Sequence, residues 1–149
     1  MSLQKIEKCT LKVLKNHRDS IIPTKGTIDS AGLDLYSYEN QILLPGDRKI
    51  IDTGICVKIP KNCYGMIWSR SGLSINNGIE VGAGIIDSDY TGTLMVILYN
   101  HSNMAFKIVR GMRIAQLVIS PFKKVIIKQV DKLVSSSRGS HGFGSTGLY

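Results

Sequence analysis

The chain has 149 residues, which suits one domain with a single hydrophobic core and leaves too little for two. Its 43% hydrophobic and 20% charged residues are ordinary for a folded globular protein, and the lack of a long apolar run excludes a transmembrane helix. The net charge of +8 favours anionic partners, but the lysines form no dense basic run interleaved with aromatic residues, so nucleic-acid binding is not indicated.

Short apolar stretches with strand character recur along the chain, separated by turn signals such as Leu44-Pro45-Gly46-Asp47. We predict strands within residues 10–13, 49–52, 55–59, 94–99, 106–109, 114–119 and 125–130. Many short strands punctuated in this way are typical of an all-β sandwich, jelly roll or barrel.

The helix signal is confined to one place. Ser71 and the pair Asn77-Gly78 delimit a short helix over residues 71–77. After residue 134 the sequence becomes rich in glycine and serine, a composition that cannot pack a core. We therefore predict a β-domain over residues 1–134 and a flexible C-terminal arm over residues 135–149.

Two stretches favour the binding of phosphate. Arg70 and Ser71 stand at the start of the predicted helix, where an arginine and free backbone N–H groups suit an anion. The C-terminal arm combines Arg138 and Phe143 with glycines whose backbone can approach an anion closely. Each has a plainer interpretation, a helix cap beside a surface arginine in the first case and a disordered tail in the second.

Residues 82–92 suggest a β-hairpin with exposed backbone, since Gly82 and Gly84 flank Ala83. Asp87 follows two isoleucines, and a partly desolvated carboxylate suits a general base that activates water. A polar turn would explain the same residues. The three histidines lack the spacing of metal ligands, so no zinc site is predicted.

Taken in order, five stretches resemble the homotrimeric deoxyuridine triphosphatase (dUTPase) family. They are AGLDLYS at 31–37, SRSGLS at 69–74, VGAGIIDSDYTG at 81–92, RGMRIAQL at 110–117 and RGSHGFGSTG at 138–147. The resemblance implies hydrolysis of dUTP to dUMP and pyrophosphate with Mg²⁺, which keeps uracil out of DNA and supplies dUMP for dTMP synthesis. It also implies a jelly-roll homotrimer with one short helix, whose active sites lie at subunit boundaries and are closed by the arm of a third chain.

The resemblance implies a role for each matching residue on the nucleoside side. Asp87 is expected to be the general base that directs water at the α-phosphorus. Tyr90 is expected to pack against the sugar and exclude a ribose 2′-hydroxyl. The uracil edge is expected to meet Met95 nearby and the backbone of the hairpin, that is Gly82, Ala83, Gly84, Ile85 and Ile86.

On the phosphate side, the resemblance implies that Arg70, Ser71, Gly72 and Gln116 hold phosphates. Asp34 is expected to support Mg²⁺ through water, while the substrate phosphates are expected to be the main ligands of the ion. In the arm, Phe143 is expected to stack on uracil and Arg138 to grip the terminal phosphate. The remaining arm donors to phosphate are expected to be Gly144, Ser145 and Thr146.

The sequence departs from the family pattern at four positions. Ser69 replaces a usual proline, Thr91 a usual arginine, Thr93 a usual acid and Met112 a usual aspartate. Loss of both the arginine and the aspartate suggests that Thr91 and Met112 replace a former ion pair.

Two other functions are considered. A dCTP deaminase shares the fold but needs a glutamate on the strand after the hairpin, where this sequence has Ile97. A non-enzymatic binding protein on the same scaffold would have no need for Asp87, Tyr90 and Phe143. Three cysteines without CxxC spacing favour a reducing compartment, so an intracellular location, cytoplasmic or nuclear, is expected.

Overall fold

The structure is a computed structural model that describes residues 9–140. Within that range the chain forms eleven strands and one helix. In chain order they are β1 (Lys12–Lys15), β2 (Thr24–Lys25), β3 (Gly32–Tyr36), β4 (Gln41–Leu43), β5 (Arg48–Lys58), β6 (Cys63–Trp68), α1 (Ser71–Asn77), β7 (Ile79–Val81), β8 (Ile85–Ile86), β9 (Thr93–Asn100), β10 (Phe106–Ile108) and β11 (Arg113–Pro121). The predicted all-β fold with one short helix is confirmed. The helix α1 is far too short to cross a membrane, and residues 9–140 contain no other candidate span.

Two antiparallel sheets enclose the core. One has the strand order β1-β5-β9-β7, the other β2-β3-β11-β6-β8, and β4 pairs with β10 beside them. Strand β9 shows how the sequence specifies this arrangement, because Leu94, Val96 and Leu98 are fully buried while Met95 points outward. Buried side chains of both sheets form a single apolar cluster, so the two sheets pack as a sandwich.

Strand β5 is longer than the sequence pattern predicts. The stretches at 49–52 and 55–58 are parts of one strand, which ends one residue before the predicted Ile59, and its pairing with β9 shifts register between Asp52 and Cys56. Gly54 lies in this irregularity with a φ of 68°, a conformation that glycine adopts without strain. The bulge breaks the alternation of side chains, which explains why the sequence indicates two strands.

The strand predicted over residues 125–130 is not formed in the single chain. Strand β11 ends at Pro121, and the linking segment (residues 122–134) has no regular secondary structure and is exposed along its length. A strand needs a neighbouring strand to pair its backbone, and none of the described residues offers one here. The boundary placed at residue 134 stays a prediction.

Helix α1 has the predicted bounds. It ends at Gly78, whose φ of 63° is left-handed and whose N–H donates to the carbonyl oxygen of Ser74 at 3.0 Å. Its N-cap is Arg70 rather than a serine, and no side chain caps the helix start. The first backbone N–H groups of α1 are therefore free of a side-chain cap at the edge of the cavity described next.

Candidate active site

A polar cavity of about 380 Å³ lies beside the start of α1. It is lined by Asp34, Arg70, Ser71, Gly72, Leu73, Asn76, Asn77 and Gln116. The four residues outside the arm that were predicted to hold phosphates are all in this set, and so is the predicted metal-supporting aspartate. The structure thus brings together residues that are up to 82 positions apart, between Asp34 and Gln116. Asn76 and Asn77 were not predicted, and no motif pointed to them.

Strand pairing explains why these residues meet. In the five-stranded sheet Gln116 on β11 pairs with Asp34 on one side and with Trp68 on the other. The chain leaves β6 directly after Trp68 and enters Arg70 and α1. Paired residues on three adjacent strands therefore place the Asp34 carboxylate, the Gln116 amide and the start of α1 side by side.

Asp34 pairs with two arginines. Its Oδ1 lies 3.1 Å from Arg70 Nε and its Oδ2 lies 3.5 Å from Arg113 Nη1. Arg70 Nη1 also donates to the carbonyl oxygen of Arg113 at 3.4 Å. The Asp34 side chain is only 15% exposed, so its charge is well placed to hold both guanidinium groups, of which that of Arg70 lines the cavity. Arg113 was missed as a site residue, although it stands in the motif that contains Gln116.

Gln116 is fixed by its contact with the β6–α1 connection. Its Nε2 donates to the carbonyl oxygen of Ser69 at 2.9 Å. The side chain lies over Gly32, where an added Cβ would be 2.4 Å from Gln116 Oε1. The glycine of the first motif is therefore explained by the room that this amide needs.

Residues 82–92 connect β7 to β9 and contain the backbone predicted to meet uracil, so they are called the base-side connection. This connection is wider than a tight hairpin. Strand β7 before it pairs with β9, while β8 within it pairs with β6 in the other sheet. The Gly82 N–H donates to the Ile97 carbonyl oxygen, and the Ile67 N–H donates to the Gly84 carbonyl oxygen, each at 2.8 Å. Two of the backbone groups predicted to meet uracil are thus already bonded within the chain. Ala83 and Ile85 are exposed and Ile86 is half-buried.

Asp87 and Tyr90 form a turn at the end of this connection. The Tyr90 N–H donates to the Asp87 carbonyl oxygen at 3.1 Å, and Tyr90 Oη donates to the Thr93 carbonyl oxygen at 2.8 Å. Both residues are exposed, as is Met95. The expected partial desolvation of Asp87 is therefore not found in the single chain, because nothing among residues 9–140 covers this turn. Neither Asp87 nor Tyr90 lines the polar cavity of the described chain.

The C-terminal arm is described only at its start. Arg138 lies in an exposed turn, in which the Gly139 N–H donates to the carbonyl oxygen of Ser136 at 3.1 Å. The other predicted arm residues lie outside the described residues: Phe143, Gly144, Ser145 and Thr146. Their roles stay predictions.

The departures from the family pattern have different surroundings. Ser69 donates a hydrogen bond to Glu80, and Thr93 Oγ1 accepts one from Asn16 Nδ2 at 2.9 Å. Thr91 lines a groove beside β1 and β5, whereas Met112 packs against the core at the start of β11. Whether these two replace an ion pair, within a chain or between chains, stays a prediction.

The sequence matches the family model described as dUTPase over residues 18–147. The chain belongs to the dUTPase family. The family predicted from the five motifs is thereby confirmed. A deoxyuridine 5'-triphosphate nucleotidohydrolase of Yaba monkey tumor virus is 44% identical over 143 residues, covering 96% of this chain and 100% of the relative.

Solved dUTPases share the fold. The dUTPase of Staphylococcus bacteriophage 80alpha, solved with dUpNHpp, superposes with a TM-score of 0.88 at 30% identity, covering 93% of this chain and 99% of its own. A variant of the dUTPase from phage phi11 of S. aureus, described with a structural Mg(II) ion, gives a TM-score of 0.79 at 27% identity and covers 85% of this chain and 99% of its own. Both likenesses extend over the sandwich described above.

Proposed function

We propose that this chain hydrolyses dUTP to dUMP and pyrophosphate, and so keeps uracil out of DNA and supplies dUMP for dTMP synthesis. The observation that carries the proposal is the polar cavity, which is lined by Arg70, Ser71 and Gln116 together. The donors suited to a chain of phosphates are the arginine, which a carboxylate fixes in place, the serine hydroxyl and the glutamine amide. Membership of the dUTPase family names the nucleotide.

Phosphate binding falls to residues at the start of α1. Arg70 offers a forked cation that Asp34 holds in place, so little side-chain entropy is lost when an anion binds. Ser71 and Gly72 add the hydroxyl and the backbone N–H groups of the first helical turn. Gln116, held at Ser69, contributes its amide from the neighbouring strand β11.

The chemical step needs one base and precise placement. Asp87 accepts a proton from a water molecule while the oxygen of that water bonds to the α-phosphorus. The bond from this phosphorus to the bridging oxygen breaks, and pyrophosphate leaves with that oxygen. Tyr90, braced through its hydroxyl on Thr93, packs against the deoxyribose and rejects a 2′-hydroxyl. The backbone of residues 82–86 and Met95 recognise uracil.

Magnesium fits this site only as an ion carried largely by the substrate. Among residues 9–140 there is no cluster of three His, Cys, Asp or Glu side chains that could hold a metal. Mg²⁺ commonly keeps several waters and binds phosphate oxygens with one or two carboxylates, and Asp34 at the cavity wall is such a carboxylate. When bound, the ion would neutralise the triphosphate oxygens, while Arg70 and Gln116 orient them.

The active unit is proposed to be a homotrimer. The linking segment exposes large apolar side chains, with Ile126 at 97% and Ile127 at 94%, and Trp68 on β6 is 59% exposed. Exposed large apolar side chains such as these favour association with another protein surface. The phosphate cavity and the Asp87 turn are separate features of one chain, so a complete site is built from neighbouring chains, with the C-terminal arm closing over it.

We also propose an intracellular location, in the cytoplasm or the nucleus. Cys56 and Cys63 are thiols in the structure, and the three cysteines of the sequence lack CxxC spacing, which suits a reducing compartment. The substrate, a nucleoside triphosphate, is also found inside cells. Fractionation of cells that express a tagged chain would test this location.

The activity is tested by pyrophosphate release in the presence of Mg²⁺ from dUTP, dTTP, dCTP and UTP. Turnover of dUTP alone, lost in Asp87→Asn, supports the proposal. Ammonia release from dCTP would instead indicate a deaminase, which is disfavoured because Ile97 stands where that family has its glutamate. Absence of any turnover would indicate a binding protein.

Site sharing is tested by mixing two inactive variants. Arg70→Ala damages the phosphate side and Asp87→Asn removes the base, so neither homotrimer hydrolyses dUTP. If each site takes these two residues from different chains, random co-assembly gives about one quarter of sites with both intact. If both residues serve the same site from one chain, every mixed site carries a defect and activity stays absent.

A further inference from the structure

Three side chains form a hydrogen-bonded cluster between the phosphate cavity and the base-side connection. Ser69 Oγ donates to Glu80 Oε2 at 2.6 Å, and Ser74 Oγ donates to Glu80 Oε1. The Val81 N–H donates to Ser69 Oγ at 2.9 Å. Both oxygens of Glu80 and the hydroxyl of Ser69 are thus engaged, and the cluster is part-buried.

The cluster holds the phosphate-binding turn at both ends. Ser69 immediately precedes Arg70, and its carbonyl oxygen accepts the Gln116 amide at 2.9 Å. Ser74 lies one turn into α1, where its N–H donates to the carbonyl oxygen of Arg70 at 2.9 Å. Residues on either side of Arg70 and Ser71 are therefore fixed to the same carboxylate.

The same cluster holds the start of the base-side connection. Glu80 and Val81 are the last residues of β7 before Gly82, the first residue proposed to meet the base. These contacts join the phosphate side to β7 through side chains, since β6 and β7 belong to different sheets. They add to the backbone pairing of β6 with β8 further along the connection.

Ser69 restrains the turn before Arg70 through its hydroxyl rather than through its backbone. A proline fixes φ and so restrains the turn before the arginine by its covalent ring. A serine lacks that restraint, and here its hydroxyl makes two hydrogen bonds instead. A charged acceptor makes the stronger kind of hydrogen bond, so Glu80 is well suited to supply this restraint.

We propose that Ser69 and Glu80 are positioning residues for the hydrolysis of dUTP, because they hold Arg70 and the base-side connection in register with each other. The inference rests on the proposed function and deepens it. Neither residue touches the reacting atoms. Loosening the cluster should therefore lower the rate and also weaken discrimination between uracil and thymine.

The test compares Ser69→Ala, Ser69→Thr and Glu80→Gln with the wild type. We expect Ser69→Ala to lower kcat/KM for dUTP about 10-fold and to lower the ratio of kcat/KM for dUTP over dTTP, while Ser69→Thr keeps the hydroxyl and retains both. The ratio does not depend on how much protein is folded, so a purely structural effect leaves it unchanged. In the double variant Ser69→Ala/Glu80→Gln the losses should not multiply, because the two residues act as one unit.

Glu39→Gln is the matched control. Glu39 is also a half-buried carboxylate with two partners, the Asp52 N–H at 3.0 Å and Gln41 Nε2 at 3.2 Å, but it lies outside the proposed site. If Ser69→Ala does not fold, Ser74→Ala breaks the other contact of Glu80 and serves in its place. If the wild type hydrolyses dUTP but the substrate ratio is unchanged in Ser69→Ala and Glu80→Gln, the positioning role alone is overturned. A wild type without dUTP turnover overturns the proposed function.

Discussion

Replacing Gly84 by alanine tests how closely the base-side connection packs against β6. A Cβ built on Gly84 lies 2.4 Å from the carbonyl oxygen of Ile67 and 3.3 Å from its carbonyl carbon. Both are backbone atoms, so neither can turn aside as the end of a side chain does. The distance from the added Cβ to the Ile67 oxygen must therefore grow from 2.4 Å to at least 3.0 Å, which moves the connection by about 0.6 Å.

This movement acts on the hydrogen bond from the Ile67 N–H to the Gly84 carbonyl oxygen, now 2.8 Å long. Overpacking and loss of the bond should together destabilise the protein by about 1–3 kcal/mol, which lowers Tm by roughly 3–9 °C for a domain of this size. Misplacing site groups by about 1 Å costs on the order of 100-fold in rate, so kcat/KM for dUTP should fall about 10-fold or more.

Thermal unfolding at fixed chain concentration and steady-state pyrophosphate release measure the two effects. Gly26→Ala is the matched control, because the nearest atom to its added Cβ is Ser30 Oγ at an ordinary 3.6 Å. We expect Gly26→Ala to match the wild type in both assays. If Gly84→Ala is as stable and as active as Gly26→Ala, the close backbone approach does not position the base-side connection.

Three further predictions concern the cavity, the pH and the arm. Gly32→Ala pushes the Gln116 amide from its place, so KM for dUTP should rise about 10-fold with little change in Tm; an unchanged KM would remove Gln116 from the phosphate site. Hydrogen bonds from Ser69 and Ser74 hold the pKa of Glu80 below its ordinary value of 4.5. The stabilising effect of the Glu80 carboxylate is therefore complete above that pH and disappears as the pH falls through the lowered pKa. Urea unfolding from about pH 6 to about pH 3 should show a smaller loss in Glu80→Gln than in the wild type, and equal losses would contradict this. Removing residues 135–149 should abolish most dUTP turnover but leave the oligomer intact by light scattering, and full activity without the arm would exclude its role in closure.

Strands were predictable from sequence where their side chains alternate without interruption. Strand β9 was expected over residues 94–99 and extends only one residue further at each end. Strand β6 was missed because Gly65 weakens its pattern, yet Gly65 suits its closely packed surroundings, since an added Cβ would lie 2.8 Å from Ile59 Cδ1 and 3.0 Å from Leu117 Cδ1. A close approach between strands depends on the packed sheet, and local propensity carries no record of it.

The site was predictable in its parts and less so in its connections. The motifs placed Arg70, Gln116 and Asp34 together, and the structure brings them to one cavity. The motifs did not reveal that Asp34 holds both Arg70 and Arg113, or that Glu80 accepts from two serines. These contacts follow from strand register and from the path of α1, which are settled only when the sheets assemble.

The exposure of Asp87 and the exposure of the linking segment have one explanation. A carboxylate that activates water works best where bulk solvent is excluded, yet Asp87 lies at the surface of the single chain. Ile126 and Ile127 are exposed as well, although burial of such side chains is strongly favourable. If neighbouring chains cover the Asp87 turn and receive the linking segment, a single assembly step buries both. Assembly would then create the surroundings of Asp87, the proposed general base. A folded monomer should therefore keep the phosphate cavity and bind pyrophosphate, but fail to hydrolyse dUTP.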